Sequence, residues 1–287
     1  MMGDWIDVAA LLNRHGLHTN KNLGQNFLKD RSVLEQICQG ALPFGKEGIL
    51  EIGAGVGSLT ALLCEESEQV LTVEIDESLK PLLLEQVPHQ NHQFLWKDIL
   101  ACDYSALRGE YFSGKPFTIV GNLPYYITAE ILDRLFLSAD WNCAVLMVQK
   151  EAAERLLSRP GSKEYRAQGV FLQAFYEGEL LFEVPPHCFQ PAPHVWSAVI
   201  RLLPKEPPVK DRNGFAKFLK SAFLSRRKMF ASSKAVQQQL RRSREELSEI
   251  LRSIGIEENA RAETFSPDQF AKVYNLAQKN FPQSLEL

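Results

Sequence analysis

Short runs of apolar and β-branched residues alternate with helix-like stretches through the first two thirds of the chain, and this alternation restricts the possible folds more than any other feature. The predicted strands, each followed by a turn and usually by a helix-like stretch, are residues 48–52, 70–74, 93–96, 117–121 and 144–149. Parallel strands need long crossover connections, which are usually helices. The order therefore predicts an α/β fold with a mostly parallel sheet covered by helices on both faces.

The chain changes character after its last predicted strands. Residues 180–184 and 197–203 are expected to form an antiparallel hairpin at the edge of the sheet. Residues 204–214, rich in proline and charge, are typical of a linker. Only helical patterns follow, and Ser266 with Gln269 predicts a capping box at the start of the last helix. We therefore predict a first domain over residues 1–203 and a small all-helical domain over residues 204–287.

The composition excludes several classes of protein. The chain is 45% hydrophobic and 23% charged, as is usual for a globular protein. No apolar run approaches the roughly 20 residues of a membrane-spanning helix, and the first residues lack the pattern of a secretory leader. None of the five cysteines lies in a C-x-x-C pair, so no metal site is predicted. We expect a cytoplasmic protein, most simply a monomer, with neither a membrane nor a metal partner.

A glycine-rich turn after the first predicted strand indicates a nucleotide-like ligand. The sequence ILEIGAGVGSLT (49–60) passes from a strand through Gly53, Gly55 and Gly57 into a helix. Glycine allows the backbone to turn sharply and to approach a bound nucleotide closely. Plain strand-to-helix connections also use such turns, so the glycines alone do not establish a ligand.

Two acidic residues at the ends of the next strands support this interpretation. Glu74 lies about 20 residues beyond the glycines, where a carboxylate can accept both ribose hydroxyls. Asp98 follows the third strand, where a carboxylate can accept a hydrogen bond from an adenine amino group. This spacing fits a nicotinamide enzyme as well as a methyltransferase.

The turn GNLPYYIT (121–128), after the fourth strand, indicates a specific chemistry. An aryl amine is a poor nucleophile because its lone pair is delocalised into the ring. Two acceptors for the amino hydrogens localise that lone pair, and the predicted acceptors are the side-chain oxygen of Asn122 and the carbonyl of Leu123. Pro124 stiffens the turn, and Tyr125 can stack on a base.

The same turn also fits a simple packing role, with its two aromatic residues filling the core. Its position at the carboxyl end of a strand, where open α/β sheets bind ligands, favours binding of an aminopurine ring. Tyr126 is expected to pack below that ring or to line the pocket. Methyl transfer from a sulfonium needs orientation and electrostatics but no strong general base. We therefore predict methylation of an adenine amino group.

Four stretches resemble the rRNA adenine N6-dimethyltransferases, and they occur in that family's order. They are NLGQNFLKD (22–30), EIGAGVGSLT (51–60), GNLPYYIT (121–128) and VPPHCFQPAPHVWSAVIRL (184–202). The resemblance covers nearly the whole chain and is greatest for the bacterial small-subunit branch linked to kasugamycin sensitivity. It implies a Rossmann-like methyltransferase sheet, S-adenosyl-L-methionine as cofactor, and dimethylation of two adjacent adenosines near the 3′ end of small-subunit rRNA, late in subunit assembly.

The resemblance also implies roles for single residues. Those implied to bind the cofactor are Asn26, Leu28, Gly53, Gly55, Glu74, Asp98 and Asn122. Those implied to hold the target adenine are Asn122, Leu123, Pro124 and Tyr125. Phe189 resembles an aromatic residue that stacks on the base from the other side. The roles of Asn26 and Leu28 rest on the resemblance alone.

A run of basic residues in the second domain is the predicted RNA-binding surface. The chain has a net charge of −3 and a pI of about 6.1, so contacts to phosphate require a local patch. No acid interrupts the basic residues Lys217, Lys220, Arg226, Arg227, Lys228, Lys234, Arg241, Arg242 and Arg244. Such a run also fits a solvated helix face, but the absence of acids favours RNA contact by Arg226, Arg227 and Lys228.

Some positions depart from the family's pattern. Arg166 replaces the usual glycine of the S-K-x-Y-G stretch, and His194 and Trp196 replace the lysine and the acid of P-K-V-D-S. The basic run after Lys228 is also shorter than usual. The surface that contacts RNA is therefore expected to differ in detail.

Three other functions stay open. A large-subunit rRNA methyltransferase of the macrolide-resistance type is disfavoured by the low pI and by GNLPYY. A non-enzymatic ribosome assembly or transcription factor is disfavoured by the intact acids Glu74 and Asp98. A nicotinamide dehydrogenase is disfavoured because no proton donor is evident and the NLPY turn has no purpose in it.

Overall fold

The protein is described by a computed structural model over residues 6–20, 23–225 and 228–279. Within these ranges the chain forms two compact units. The first contains the residues up to Ala153 together with Gly178–Pro204, and the second contains Glu154–Glu177 and the residues from Lys205 onward. No helix in the described ranges is both long and apolar enough to span a bilayer.

The strands carry most of the architecture that positions the site. In chain order they are β1 (Phe27–Leu28), β2 (Ile49–Ile52), β3 (Val70–Glu74), β4 (His92–Trp96), β5 (Phe117–Asn122), β6 (Trp141–Gln149), β7 (Tyr176–Val184), β8 (Phe189–Gln190) and β9 (Ser197–Pro204). A seven-stranded sheet has the order β4-β3-β2-β5-β6-β9-β7. Strands β2 to β6 pair in parallel, and β9 pairs antiparallel with β6.

Helices flank the sheet and form the second unit. In chain order they are α1 (Val8–Arg14), α2 (Arg31–Gly45), α3 (Ser58–Glu66), α4 (Lys80–Gln86), α5 (Tyr104–Tyr111), α6 (Thr128–Leu137), α7 (Lys150–Leu156), α8 (Ala167–Phe175), α9 (Arg212–Leu224), α10 (Lys234–Leu240), α11 (Arg244–Ser253) and α12 (Pro267–Lys279). The predicted α/β fold, with a mostly parallel sheet and a C-terminal helical region, is confirmed.

The central strands are short apolar runs because both of their faces are covered. All four residues of β2 and all five of β3 are buried. An alternating pattern would have left one face in water, as in many antiparallel sheets. Because β2, β3 and β5 run parallel and adjacent, their carboxyl ends meet at one edge of the sheet. The glycine turn, Glu74 and the NLPY turn all follow those ends.

Strands β7 and β9 lie at the edge of the sheet, as predicted, but the segment between them is not a simple hairpin turn. Strand β8 intervenes and pairs antiparallel with β1, so that Leu28 faces Phe189 and Phe27 faces Gln190. This small ladder joins the segment before α2 to the segment before β9. Two-residue strands carry too little pattern for sequence analysis to detect them.

The second unit differs from the predicted helical domain in two respects. First, it includes residues 154–177, because the rings of Phe171 and Phe175 on α8 pack against Phe215 on α9, with centroids 6.1 and 5.9 Å apart. Second, the helical pattern of residues 236–255 is divided between α10 and α11, because Arg241 adopts a left-handed conformation with φ 52°.

The starts of two helices show how the sequence specifies these ends. Ser243 and Glu246 form a capping box that begins α11. The capping box predicted for the last helix is present, since the Ser266 amide donates to Gln269 Oε1 at 2.8 Å and the Gln269 amide donates to Ser266 Oγ at 3.1 Å. Both boxes satisfy amides that the first helical turn leaves without partners.

Candidate active site

A pocket lies where the carboxyl ends of β2, β3 and β5 meet. It is lined by all of the residues predicted to bind the cofactor and by the whole NLPYY turn. The lining includes Asn26, Leu28, Gly53, Gly55, Glu74, Ile75, Asp98, Asn122, Leu123, Pro124, Tyr125 and Tyr126. Residues separated by up to 100 positions in the chain are thus brought to one cavity. Their proximity is observed, and the roles of the individual residues stay predictions.

The glycine turn brings the backbone close to the space a ligand would occupy. Gly53 and Gly55 have φ values of +79° and +56°, which L-residues with a side chain rarely adopt. A Cβ on Gly55 would also lie 3.1 Å from Cδ1 of Phe27, whose ring packs beside the turn. The turn is therefore specific for glycine on conformational and steric grounds.

Glu74 fixes the glycine turn from the end of β3. Its Oε2 accepts a hydrogen bond from the Ala54 amide at 2.9 Å, and its Oε1 accepts one from the Asp76 amide at 2.8 Å. Burial raises the pKa of this carboxyl, and the backbone amides that donate to it oppose the rise. A carboxylate oxygen can accept more than one hydrogen bond, so Glu74 can hold the turn and also accept from ligand hydroxyls.

Asp98 and Ile75 line the same pocket as Glu74. Asp98 Oδ1 accepts a hydrogen bond from the Leu100 amide at 2.9 Å, which fixes the carboxyl group at the end of β4. Ile75, which sequence analysis did not single out, lines the cavity with half of its surface exposed. The apolar side chain of Ile75 can pack against a flat ring, and the carboxyl groups of Glu74 and Asp98 can accept hydrogen bonds from its polar edges.

Asn122 is oriented by a residue 96 positions away in the chain. Its Nδ2 donates to the carbonyl oxygen of Asn26 at 3.1 Å, and Nδ2 of Asn26 donates to the carbonyl of Gly24 at 3.0 Å. Because a carbonyl can only accept, this contact settles which end of the Asn122 amide is the nitrogen. The Oδ1 of Asn122 is thereby left as the acceptor available to a substrate amine.

The rest of the turn is held by the sheet. The Leu123 amide donates to the carbonyl of Met147 on β6 at 3.0 Å, and Thr128 Oγ1 donates to the carbonyl of Pro124 at 2.9 Å. The hydroxyl of Tyr125 lies 2.6 Å from Ser197 Oγ, at the start of β9. Burial raises the pKa of Tyr125, which keeps the phenol neutral. Sequence analysis missed Ser197 because no spacing rule links positions 72 residues apart.

Of two further residues predicted to contact the substrate, Tyr126 lines the pocket and Phe189 does not. Tyr126 is 53% exposed and lines the pocket, and its ring lies over Gly24. Phe189 does not line the pocket. Its side chain is 2% exposed and belongs to the core beside β1. A base could reach the Phe189 ring only after a rearrangement of this segment, so the structure does not bring Phe189 together with the other predicted residues.

Not all of the basic residues of the second unit are available to contact RNA. Arg226 and Arg227 lie outside the described residues, whereas Lys228 is exposed. Arg242 is committed to the fold, because its guanidinium donates to the carbonyl of Ala277 at 2.8 and 3.2 Å and to Glu246 at 2.9 Å. The patch available to phosphate is therefore smaller than the basic run in the sequence.

A fully buried carboxyl lies under the pocket on β2. Glu51 Oε2 accepts hydrogen bonds from the hydroxyls of Thr60 and Thr72 at 2.7 and 2.8 Å, while Oε1 has no hydrogen-bond partner among the described residues. Burial raises the pKa of Glu51 from 4.5 to about 7, although the two threonines oppose the rise. Below about pH 7 the protonated form therefore predominates in the folded protein.

This shift predicts a pH-dependent stability. The folded-state pKa of Glu51 lies above its ordinary value. The contribution of Glu51 to the free energy of unfolding is therefore fully present below pH 4.5 and is lost as the pH rises through 7. In Glu51→Gln this loss, about 1.4 kcal/mol per pH unit within that window, is expected to be absent. Urea unfolding of parent and variant between pH 4.5 and 8 measures it. Glu68→Gln, at an exposed glutamate, is the control, and parallel pH profiles for parent and Glu51→Gln would contradict the expectation.

The fold and pocket together define a class of protein. A parallel sheet whose strand ends carry a glycine turn and two acids is suited to bind a nucleoside, and the Asn-Leu-Pro-Tyr turn in the same pocket is suited to accept hydrogen bonds from an amino group. These are the features of a methyltransferase that acts on the amino group of a base.

Comparisons with known proteins identify the family within this class. The family model for ribosomal RNA adenine dimethylase matches residues 16–279. Ribosomal RNA small subunit methyltransferase A of Lachnoclostridium phytofermentans is 37% identical over 281 residues, 96% of this chain and 97% of the relative. The Desulfitobacterium hafniense protein of the same name is 38% identical over 269 residues, 92% of this chain and 94% of the relative. The chain belongs to this family, the S-adenosyl-L-methionine-dependent rRNA adenine dimethyltransferases.

Solved structures agree on the fold. A dimethyladenosine transferase from Plasmodium falciparum superposes with a TM-score of 0.76 at 23% identity, covering 88% of this chain and 98% of the other. The 23S rRNA methyltransferase ErmE superposes with a TM-score of 0.68 at 26% identity, covering 88% of this chain and 100% of the other.

The pocket fits the cofactor of this family. Glu74 and Asp98 offer acceptors for ribose hydroxyls and an adenine amine, Ile75 offers apolar surface, and the glycines remove the side chains that would fill the space. When bound, S-adenosyl-L-methionine supplies an electrophilic methyl group on a sulfonium.

Proposed function

We propose that this protein dimethylates the N6 amino groups of two adjacent adenosines near the 3′ end of small-subunit rRNA, late in the assembly of the subunit. The observation that carries the chemistry is the anchored Asn122, whose Nδ2 is held by Asn26 and whose Oδ1 is left to accept. The choice of the small subunit is supported by the names of the curated relatives. We place the activity in the cytoplasm, in a protein that acts as a monomer.

The proposed roles follow from the atoms that the turn presents. Asn122 Oδ1 and the Leu123 carbonyl accept the two amino hydrogens, which localises the nitrogen lone pair toward the methyl group. Tyr125, with its hydroxyl fixed by Ser197, presents a ring on which the target base stacks. The proton on the methylated nitrogen leaves to solvent after transfer, so no residue has to act as a strong base.

Two successive transfers are compatible with this arrangement. A monomethylated amine keeps one hydrogen, and either acceptor alone can bind it. The remaining acceptor faces the new methyl group, which lowers the stabilisation of the second transition state but does not remove it. The second methylation is therefore expected to be slower than the first, within the same pocket.

Methyl transfer from radiolabelled S-adenosyl-L-methionine tests the proposal. The substrates are undermethylated small subunits, large subunits and naked rRNA, and the modified bases are then mapped. Label on two adjacent adenines of the small subunit is expected. Label in large subunits alone would place the protein with the ErmE type of enzyme, and no label in any substrate would contradict methyltransferase activity.

The second unit is proposed to bind the RNA through the basic patch around Lys228. Reversing the charge of Arg226, Arg227 and Lys228 together is expected to weaken binding to small subunits. It should also reduce the slope of log Kd against log salt by about 2 to 3, since each phosphate contact contributes about 0.7 to 0.9. Filter binding from low to moderate salt measures both. Lys272→Glu, at an exposed lysine on α12, is the control. An unchanged salt slope would refute the role.

A further inference from the structure

Exposed aromatic rings are rare among the described residues, and the two that occur lie at the sheet edge that carries the NLPYY turn. Among the phenylalanine, tyrosine and tryptophan side chains that the structure describes, Tyr126 and Trp196 are the two classified as exposed, at 53% and 48%. The other two described tryptophans, Trp96 and Trp141, are partly or fully buried. Tyr126 already belongs to the pocket, whereas Trp196 has no assigned role.

Trp196 is tied to the turn through its neighbour in the chain. Ser197, the next residue, places its Oγ 2.6 Å from the hydroxyl of Tyr125. Ser197 also pairs with Gln149, at the same edge of the sheet as the carboxyl end of β5. Trp196 does not line the cofactor pocket. Trp196 therefore lies outside the cofactor site, at the edge of the sheet that also carries the NLPYY turn.

The indole is held in place despite its exposure. The Lys150 amide donates to the Trp196 carbonyl at 2.9 Å, and Lys150 Nζ lies 6.0 Å from the centre of the indole ring. The ammonium is itself bound to Glu183 Oε1 at 2.8 Å. A cation at this distance attracts the face of the ring, and the salt bridge fixes the cation. A ring ordered before binding loses little conformational entropy when a ligand stacks on it.

We propose that Trp196 stacks on the nucleotide next to the target adenine and so holds the RNA strand beside the NLPYY turn. The proposal rests on the proposed function, since it names a further contact to the same substrate. A base is the ligand that fits, because stacking on an aromatic ring needs only a planar face and tolerates any base sequence. Trp196 would therefore contribute to binding of the strand without reading its sequence.

The test compares steady-state methylation of undermethylated small subunits by Trp196→Ala, Trp196→Phe and the parent. For Trp196→Ala, KM for the subunit is expected to rise about 5- to 150-fold, the range found when one stacked aromatic is removed. Its kcat and its affinity for S-adenosyl-L-methionine should stay near those of the parent. Trp196→Phe keeps a planar ring and should recover most of the loss. Leu84→Ala, which removes an exposed apolar side chain on α4, is the matched control.

A parent-like KM in Trp196→Ala overturns the proposal, and so does a phenylalanine variant as impaired as the alanine variant. Reduced cofactor affinity in Trp196→Ala would show that the ring supports the fold, which also overturns it. Failure of the proposed function is distinguishable, because it shows in the parent, as an absence of methyl transfer to small subunits, before any variant is compared.

Discussion

Replacing Asn122 with alanine is expected to lower the rate of methyl transfer by about 10²- to 10³-fold or more, the effect of removing one preorganised hydrogen-bonding group at a reacting centre. The side chain supplies one of the two acceptors for the amino hydrogens, and its Nδ2 is the atom that Asn26 anchors. Alanine removes both the acceptor Oδ1 and the Nδ2 that fixes its orientation. The lone pair of the amine then stays delocalised in the ring.

The prediction separates chemistry from binding. Single-turnover transfer to small subunits measures the rate, and calorimetry with S-adenosyl-L-homocysteine measures the cofactor site, which should keep a readily measurable affinity. Asn142→Ala is the matched control, since Asn142 lies on β6 of the same sheet and its Nδ2 also donates to a backbone carbonyl, that of Phe44. A fully active Asn122→Ala enzyme would refute the role assigned to the turn.

Replacing Glu74 with alanine is expected to weaken cofactor binding by about 10²-fold or more, because hydrogen bonds to a charged group contribute about 1.5–3 kcal/mol each. The loss has two origins. The carboxylate no longer accepts from the ribose hydroxyls, and the Ala54 and Asp76 amides lose their acceptor. Glu74→Gln should lie between alanine and the parent, since the amide keeps one acceptor oxygen but turns an NH₂ group toward a backbone donor.

Calorimetry with S-adenosyl-L-homocysteine measures this effect, and thermal unfolding without ligand shows how much of it is a loosened glycine turn. Glu77→Ala removes an exposed acid from the turn that follows β3, and it should bind like the parent. If Glu74→Ala bound the cofactor as tightly as Glu77→Ala, the pocket would have to hold the ribose by other groups.

The parts of the fold that sequence analysis predicted are those specified by local pattern. The strands that end at Ile52 and Glu74 are continuous buried runs, and the capping box at Ser266 needs only four consecutive residues. Parallel neighbours bring their carboxyl ends together, so a set of ligand residues at strand ends follows directly. Glu74, Asp98 and Asn122 were predicted in this way, and all three line the pocket.

The remaining features depend on contacts between distant residues. Nothing near Tyr125 in the chain indicates Ser197, and nothing near Asn122 indicates the carbonyl of Asn26. Residues 154–177 were assigned to the wrong side of the linker because the aromatic packing between α8 and α9 is visible only in three dimensions. The end of α10 at Arg241 was not predicted, although the capping box at Ser243 that begins the next helix is a local pattern.

The ladder between β1 and β8 has a thermodynamic consequence. Leu28, on β1, lines the cofactor pocket, while β8 leads into the loop that carries Trp196. The backbone groups of each strand find their partners on the other strand, so neither strand can leave the ladder without exposing unpaired groups on both. A substitution that destabilises either strand is therefore expected to disturb the lining of the pocket and the segment that precedes Trp196 together.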